Sequence, residues 1–419
     1  MQQAQGATPA SPHQLAVRLG ALGYREFRLL WFGLILSNTG SWMQMLAQGW
    51  LVVELANSPT LGPFYLGLVG FVRAMPVLAL SGLAGALADR MDRRRLLVIT
   101  QTVMATAALG LGALVALHVV RIWHVMIIAA ISSAAAAFDA PTRQSLVPLL
   151  VGKEDLMNAI GLNSAAFNGP AVIGPALGGI AVSTVGLPAC FFINGFSFIA
   201  VLAALGCIAP KPPIEVASRT GIWKEVGDGI RYVRGNRVVL AIIGLSAILA
   251  VIARPYIQLL PAFAKSVTGG GPKGLGILMA AAGAGALMGS ITTALMGIRR
   301  GRGLVFILSA GVAGIALTLF SFTRSMPASA AMLLLLGGAI MMFMGMSNTL
   351  LQTYTPLDMR GRVMSMYTMI FLGFMPLGSW LLGTTASITS LPKTFAVAGV
   401  AIVAAAVVAL RRRDLRDLV

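Results

Sequence analysis

The sequence is poor in charge, above all in acid, and poor in cysteine and histidine. Of its 419 residues 11% are charged, with 13 Asp or Glu against 31 Lys or Arg. A soluble globular chain carries roughly 25% charged residues, so a soluble or secreted enzyme is excluded. Cys190 and Cys207 stand 17 positions apart in one apolar stretch, too far along a helix axis to pair, so no disulfide framework is implied. The three histidines, His13, His118 and His124, are terminal or in one loop. No His, Cys and carboxylate cluster has metal-ligand spacing, so no metal, no other cofactor and no enzyme chemistry is expected. A Gly-x-x-x-x-Gly-Lys-Ser phosphate loop is missing, so the chain hydrolyses no ATP. Residues 1–26 hold no apolar core followed by a small-residue cleavage site, so an uncleaved, cytoplasmic amino terminus is expected.

What is present is apolar. Hydrophobic residues make up 57% of the chain, about 239 of 419, and at roughly 20 per crossing they supply on the order of a dozen membrane spans. Runs of spanning length lie at 29–53, 62–87, 96–118, 122–148, 157–183 and 187–209, then at 238–262, 274–297, 303–322, 327–353, 363–383 and 392–410. Between the sets, 210–237 is the longest polar connector, so the expected units are 1–209, 210–237 and 238–419. Within the connector Ile222, Val226, Ile230 and Val233 recur at helical spacing against Lys224, Glu225, Asp228, Arg231 and Arg234, which predicts an amphipathic helix on the membrane surface.

The net charge of +18 acquires its meaning from position. With the amino terminus inside, 23 of the 31 basic residues fall in inner segments and five in outer loops, leaving Arg73, Arg143 and Arg254 within spans. Positive residues favour the cytoplasmic side, so the split predicts an even number of spans with both termini inside. The basic excess is an orientation signal, and a nucleic-acid partner is excluded.

The halves echo one another. Gln144-Ser-Leu-Val-Pro148-Leu149 ends the fourth span as Gln352-Thr-Tyr-Thr-Pro356-Leu357 ends the tenth, and Gly174-Pro175 with Gly178 and Gly179 in span five answers Met375-Pro376 with Gly378 in span eleven. A duplicated unit of this kind points to a transporter.

The loop after span two reads Gly85-Ala-Leu-Ala-Asp89-Arg90-Met-Asp92-Arg93. Gly85 permits close helix approach, Asp89 accepts hydrogen bonds at an inner helix end, and Arg93 lies one turn on for an ion pair. The alternative is a plain basic loop. This motif resembles the loop motif of the major facilitator superfamily, whose Asp and Arg latch the two halves in the outward-facing state with an acid at the inner end of span four, where Asp139 stands with Arg143 one turn on. The second-half loop, Gly297-Ile-Arg299-Arg300-Gly-Arg302, lacks the Asp, so the latch is expected to be one-sided. Span five, with Gly174, Pro175, Gly178 and Gly179, is similar to the antiporter motif of the superfamily's drug exporters, and plain tight packing is the alternative. Asp139-Ala-Pro-Thr-Arg143, Asp155-Leu-Met-Asn158, Asn163-Ser164 with Asn168, and Arg360-Gly361-Arg362 resemble the enterobactin exporter and macrolide efflux branch.

The resemblance implies an all-α membrane protein with the major facilitator fold, twelve transmembrane helices in two pseudo-symmetric six-helix bundles. It implies a monomeric inner-membrane exporter of a small amphiphile, a siderophore or a drug such as a macrolide, working by alternating access with proton antiport. A lysophospholipid or other lipid-like exporter is the rival reading, and a membrane-embedded receptor a remote one.

Polar residues within spans mark the expected path. Ser37, Ser41, Gln44 and Gln48 form one stripe on span one with Asn38 beside it, expected to face a central cavity, with helix-to-helix hydrogen bonding as the alternative. Asn163 and Asn168 join them from span five. Arg73 in mid-span two, and Arg254 beside Pro255 and Tyr256 in span seven, keep their charge. The carboxylates within spans are Glu54 and Asp139, which are also the candidates for carrying protons. With Asp139 beside Arg143, at least one arginine lacks a carboxylate, so the cavity is expected to be net positive and to favour anionic or carbonyl-rich cargo. The alternative is that both arginines are packing residues.

Overall fold

A computed structural model describes residues 20–209, 222–296 and 301–418, with the backbone alone at 81–82, 85–86, 88–90, 222–226, 228 and 372. In lipid every backbone N–H and C=O must be satisfied within its own segment, and the apolar runs accordingly become helices. No strand occurs among the described residues. The first half contains α1 (Arg25–Ala56), α2 (Leu61–Arg90), α3 (Arg93–Ala116), α4 (Ile122–Leu146), α5 (Leu156–Asn168), α6 (Pro170–Thr184) and α7 (Leu187–Gly206). The connector forms α8 (Ile222–Gly235). Then come α9 (Arg237–Ile248), α10 (Tyr256–Phe263), α11 (Gly271–Leu295), α12 (Arg302–Phe322), α13 (Met326–Tyr354), α14 (Leu357–Ile388) and α15 (Leu391–Arg411).

Among the described residues 11 helical stretches are long and apolar enough to cross a membrane, with α5–α6 and α9–α10 each forming one of them. The exception is α1, 32 residues long, whose polar stripe dilutes its apolar content. It nevertheless packs against α6 and α7 in the first half.

The neighbour pattern repeats between halves. In the first, α2 packs on α4 and α3 on α4 and α7; in the second, α11 packs on α13 and α12 on α13 and α15. The halves meet where α2 crosses α14 and α6 crosses α11. Two ends of the bundle are thereby defined: a terminal end with Arg25, α8 and Arg411, and a far end with the short loops.

Proline decides where these helices depart from regularity. Pro170 cannot donate to the Ala166 carbonyl four residues back, so the fifth span divides there into α5 and α6, and the Asn38 side chain donates to that carbonyl at 2.9 Å instead. Pro255 likewise frees the Val251 carbonyl. The turn at Leu249–Ala253 widens to a π-helix, with Arg254 N–H reaching Leu249 O at 3.0 Å. A second π-turn spans Ala264–Thr268, carrying this span beyond the predicted end at 262. A β-carbon on Gly378 of α14 would strike the freed Val251 oxygen.

Close contact between halves lies toward the far end. A β-carbon on Gly276 of α11 would sit 2.7 Å from Pro175 O, one on Gly179 of α6 2.8 Å from Pro272 O, and one on Gly383 of α14 2.5 Å from Pro63 O. Lys265 Nζ donates to Val53 O at 3.4 Å. Among the described residues the last such approaches toward the terminal end are Ala171 against Gly283 and Leu78 against Gly373. Nearer the terminal end, Met157 of α5 and Leu295 of α11 are 79% and 80% exposed.

The predicted connector helix is present as α8. Val233 is buried and Gly229 packs on Met366 and Arg362, so the helix docks on the start of α14. The side chains of Ile222, Lys224, Glu225, Val226 and Asp228 lie outside the described residues, as do 210–221 and the basic pair Arg299 and Arg300.

Candidate functional site

The polar stripe of α1 meets α7 through Asn194. Asn194 is an asparagine in an otherwise apolar stretch of α7, and in lipid its amide must find partners. It accepts from Ser41 Oγ at 3.3 Å and donates to Gln44 Oε1 at 2.7 Å. Ser37 is buried on the same side. Two members of the stripe therefore make helix-to-helix bonds, the alternative reading for them. Gln48 is also buried, and its Nε2 has no hydrogen-bond partner among the described residues. Asn163 Oδ1 is likewise unpaired, whereas Asn168 donates to Ser164 O at 2.9 Å.

Asp139 anchors a network near the terminal end of α4. It accepts from Gln101 Nε2 at 2.7 Å and Thr100 Oγ1 at 3.2 Å, and Arg143 Nη1 stands 3.6 Å away. Arg143 also lies with Cζ 4.1 Å from the centre of the Phe167 ring, a cation–π contact. One helix over, Arg93 is 1% exposed and donates to Ser145 Oγ at 2.9 Å. The pairing of Asp139 with Arg143 follows from their spacing, but Thr100, Gln101 and Phe167 do not, although two polar residues together in the apolar α3 were a signal. The side chains of Gly85 and Asp89, the other members of the expected latch, lie outside the described residues.

The remaining span arginines have no carboxylate partner among the described residues. Arg73 falls on the α2 face of Leu66, Val69 and Ala84, all buried, and so points into the protein. Arg254 Nη1 lies 3.9 Å from Met344 Sδ, and its Cζ is 5.4 Å from the centre of the Phe371 ring. Phe371 packs on Tyr367 with centroids 5.2 Å apart, and Tyr367 donates to Met344 O at 3.4 Å. Tyr256 is buried in the first turn of α10. Met344, Tyr367 and Phe371 went unforeseen because they are ordinary span residues until Arg254 is placed among them.

Helix rise sets the depth of both arginines. Gly62 meets Val53 at 3.6 Å, and Arg73 lies eleven residues further down α2, about 17 Å at 1.5 Å per residue; the same drop on α1 reaches Trp42. Gly49 meets Pro261 at 2.7 Å, and Arg254 lies seven residues, about 10 Å, before Pro261, which again reaches Trp42. The two guanidinium groups, one from each half, thus share the depth of Ser41 and Gln44.

Glu54 is exposed near the far end of α1, where it accepts from Trp50 Nε1 at 2.6 Å. The glycines of span five divide their contacts. Gly174 and Gly178 pack on Trp42 and Met43 of α1, Gly179 packs on Gly276 across the halves, and Pro175 offers its carbonyl there.

The model of the transmembrane secretion effector family matches residues 17–417. The chain belongs to that family, within the major facilitator superfamily. Among relatives of this secretion-effector chain, the multidrug efflux pump Tap of Mycobacterium tuberculosis is 25% identical over 93% of this chain and 94% of its own. The staphyloferrin A transporter of Staphylococcus aureus is 27% identical over 86% and 89%, and the macrolide efflux protein A of Streptococcus pyogenes 24% over 94% and 97%. In fold the chain is similar to the nucleoside transporter NupG, with a TM-score of 0.74 at 15% identity, covering 92% of this chain and 98% of that one. It is also similar to a bacterial homologue of ferroportin in an inward-facing state, with a TM-score of 0.65 at 16% identity, covering 92% and 97%. This secretion effector is a multi-pass membrane protein with the major facilitator fold, and a transporter of that kind handles a small-molecule substrate.

Proposed function

We propose that this protein is an inner-membrane efflux transporter that moves a small amphiphile, a drug or a siderophore, out of the cytoplasm by alternating access. In this reading twelve spans form bundles within 1–209 and 238–419, joined by 210–237, with the terminal end in the cytoplasm and the monomer as the working unit. The observation that supports it is where the described glycine-lined crossings join the halves, toward the far end. In this reading a lumen opens to the terminal end, with Arg73 and Arg254 at mid-depth. The named efflux activities of the multidrug and macrolide relatives supply the direction.

Proton antiport is the coupling that the family resemblance implies, with Glu54 or Asp139 as carrier. Here Glu54 is exposed near the far end and Asp139 is held by three donors, so the proposal rests on alternating access and not on either carboxylate.

Everted vesicles from cells expressing the protein test the function. Energised vesicles should accumulate a radiolabelled macrolide or siderophore, and a Gly276→Leu variant, which obstructs far-end closure, should not. Equal accumulation by variant and wild type would remove the basis of the proposal. A receptor would move no solute at all. The lipid-exporter reading has one observation in its favour, an apolar groove of about 390 Å³ between α11, α12 and α13, lined by Met288, Gly289, Leu308, Leu334 and Gly338. Movement of a fluorescent lysophospholipid between leaflets, with no macrolide or siderophore transport, would select it.

A further inference from the structure

We infer that the cargo is an organic anion, and that Arg73 and Arg254 receive its acidic group at mid-depth in the lumen. The inference deepens the efflux function and rests on it. A guanidinium within a span keeps its charge, so each must be balanced by a carboxylate, by water or by a ligand. Among the described residues neither arginine pairs with a carboxylate, and the acidic candidates from the sequence are Glu54 and Asp139. Asp139 is committed to Arg143, Gln101 and Thr100. Glu54 stands 12 residues beyond Trp42 on α1, about 18 Å above the depth of both arginines. What surrounds Arg254 is soft and apolar, the Met344 sulfur and the Phe371 ring with Tyr367 behind it. Those groups suit the hydrocarbon or aromatic body of an amphiphile whose acid meets the cation.

Placement adds a second argument. Arg73 belongs to the first half and Arg254 to the second, at one depth, so an acid held between them bridges the two bodies that must rock. Gln48 Nε2, a buried donor on α1 with no partner among the described residues, adds another unsatisfied donor to the first half. A cationic drug would find no counter-charge at this depth.

The test uses full-length protein in detergent, with dansylaminoundecanoic acid and its methyl ester as fluorescent probes. Charge-assisted bonds of this kind imply that Arg73→Gln and Arg254→Gln each weaken acid binding roughly tenfold or more and change ester binding by less than about twofold. Arg254→Lys, which keeps the charge, should bind the acid to within about fivefold of wild type. Ester binding reports that each variant is folded. Where one glutamine variant fails to fold, the other carries the test by the same comparison of acid with ester. Equal losses for acid and ester, or full acid affinity in both glutamine variants, overturn it. Transport of a carboxylate siderophore in sealed vesicles is read separately. Transport with no acid binding in the wild type overturns this inference alone, whereas acid binding with no transport overturns the efflux function and leaves the site.

Discussion

Asp139 is a carboxylate that the bilayer would not tolerate alone. Its acceptor oxygens are filled by Gln101, Thr100 and Arg143, and removing it leaves Arg143 buried with the Phe167 ring as its partner among the described residues. Breaking a buried ion pair from one side costs about 3 kcal/mol or more, so Asp139→Ala should markedly lower the thermal midpoint in detergent. Asp139→Asn should cost less, since its amide oxygen still accepts from Gln101. Matching midpoints for wild type and Asp139→Ala would show that the network does not hold α3 to α4. The tail pair behaves oppositely. Arg412 donates to both Asp414 oxygens, at 3.2 and 2.6 Å, and holds that carboxyl below its ordinary pKa, chiefly through the hydrogen bond. A lowered pKa stabilises the fold above the unfolded value and ceases to do so as pH falls through the folded value. Both groups are solvated, so Asp414→Ala should change stability by less than about 1 kcal/mol at neutral pH, and the difference should vanish in acid denaturation. Sequence spacing sufficed to read Asp139 with Arg143, because i and i+4 share a helix face. It did not suffice for Gln44 with Asn194, because which face of α1 meets α7 is decided by packing at Gly40, where a β-carbon would come within 2.8 Å of Ser197 Oγ.

At the scale of elements, glycine and proline work as a pair. Pro175 frees the Ala171 carbonyl, and a β-carbon on Gly283 of the crossing α11 would sit 2.5 Å from that oxygen; such crossings gain weak Cα–H···O contacts as well as close packing. The same relation joins Pro255, Val251 and Gly378. The α6–α11 and α2–α14 crossings join the two halves, so under alternating access cross-linking reports their state. With Cys190 and Cys207 replaced by Ala, the pair Gly70→Cys and Ser379→Cys should form a disulfide readily under mild oxidation, since a β-carbon on Gly70 would lie 3.2 Å from Ser379 Cβ, close to the span of a disulfide. The pair Met157→Cys and Leu295→Cys should resist it, as both sites are open. The reverse pattern on a gel would place closure at the terminal end. Much of this was legible as Gly174-Pro175-Gly178-Gly179 and Met375-Pro376-Gly378, because glycine in an apolar run demands a reason. The split at Gly169 and the π-turn before Arg254 were not, because what a freed carbonyl does depends on the helix opposite.

The whole molecule sits in an electric field, and its charge distribution determines how it responds. Most of the fold was legible because lipid leaves few options: long apolar runs become helices, and the basic residues cluster at one end of them. The site was legible only as a remainder, three arginines that no loop could claim. From that remainder follows a prediction about energy. An organic anion leaving the cytoplasm moves negative charge outward, and each charge gains about 2.3 kcal/mol per 100 mV of inside-negative potential, roughly a fifty-fold concentration ratio. Proteoliposomes loaded with a dansyl alkylsulfonate, an anion at any working pH, should release it faster when valinomycin and a potassium gradient make the interior negative. A quaternary ammonium analogue of equal length should not be released faster. A pH gradient imposed without a potential should change sulfonate release little, because Glu54 stands far from the depth of the arginines and Asp139 is held by three donors. Sulfonate release that followed the pH gradient and ignored the potential would return the coupling role to one of those two carboxylates, and Glu54→Gln and Asp139→Asn would then separate them.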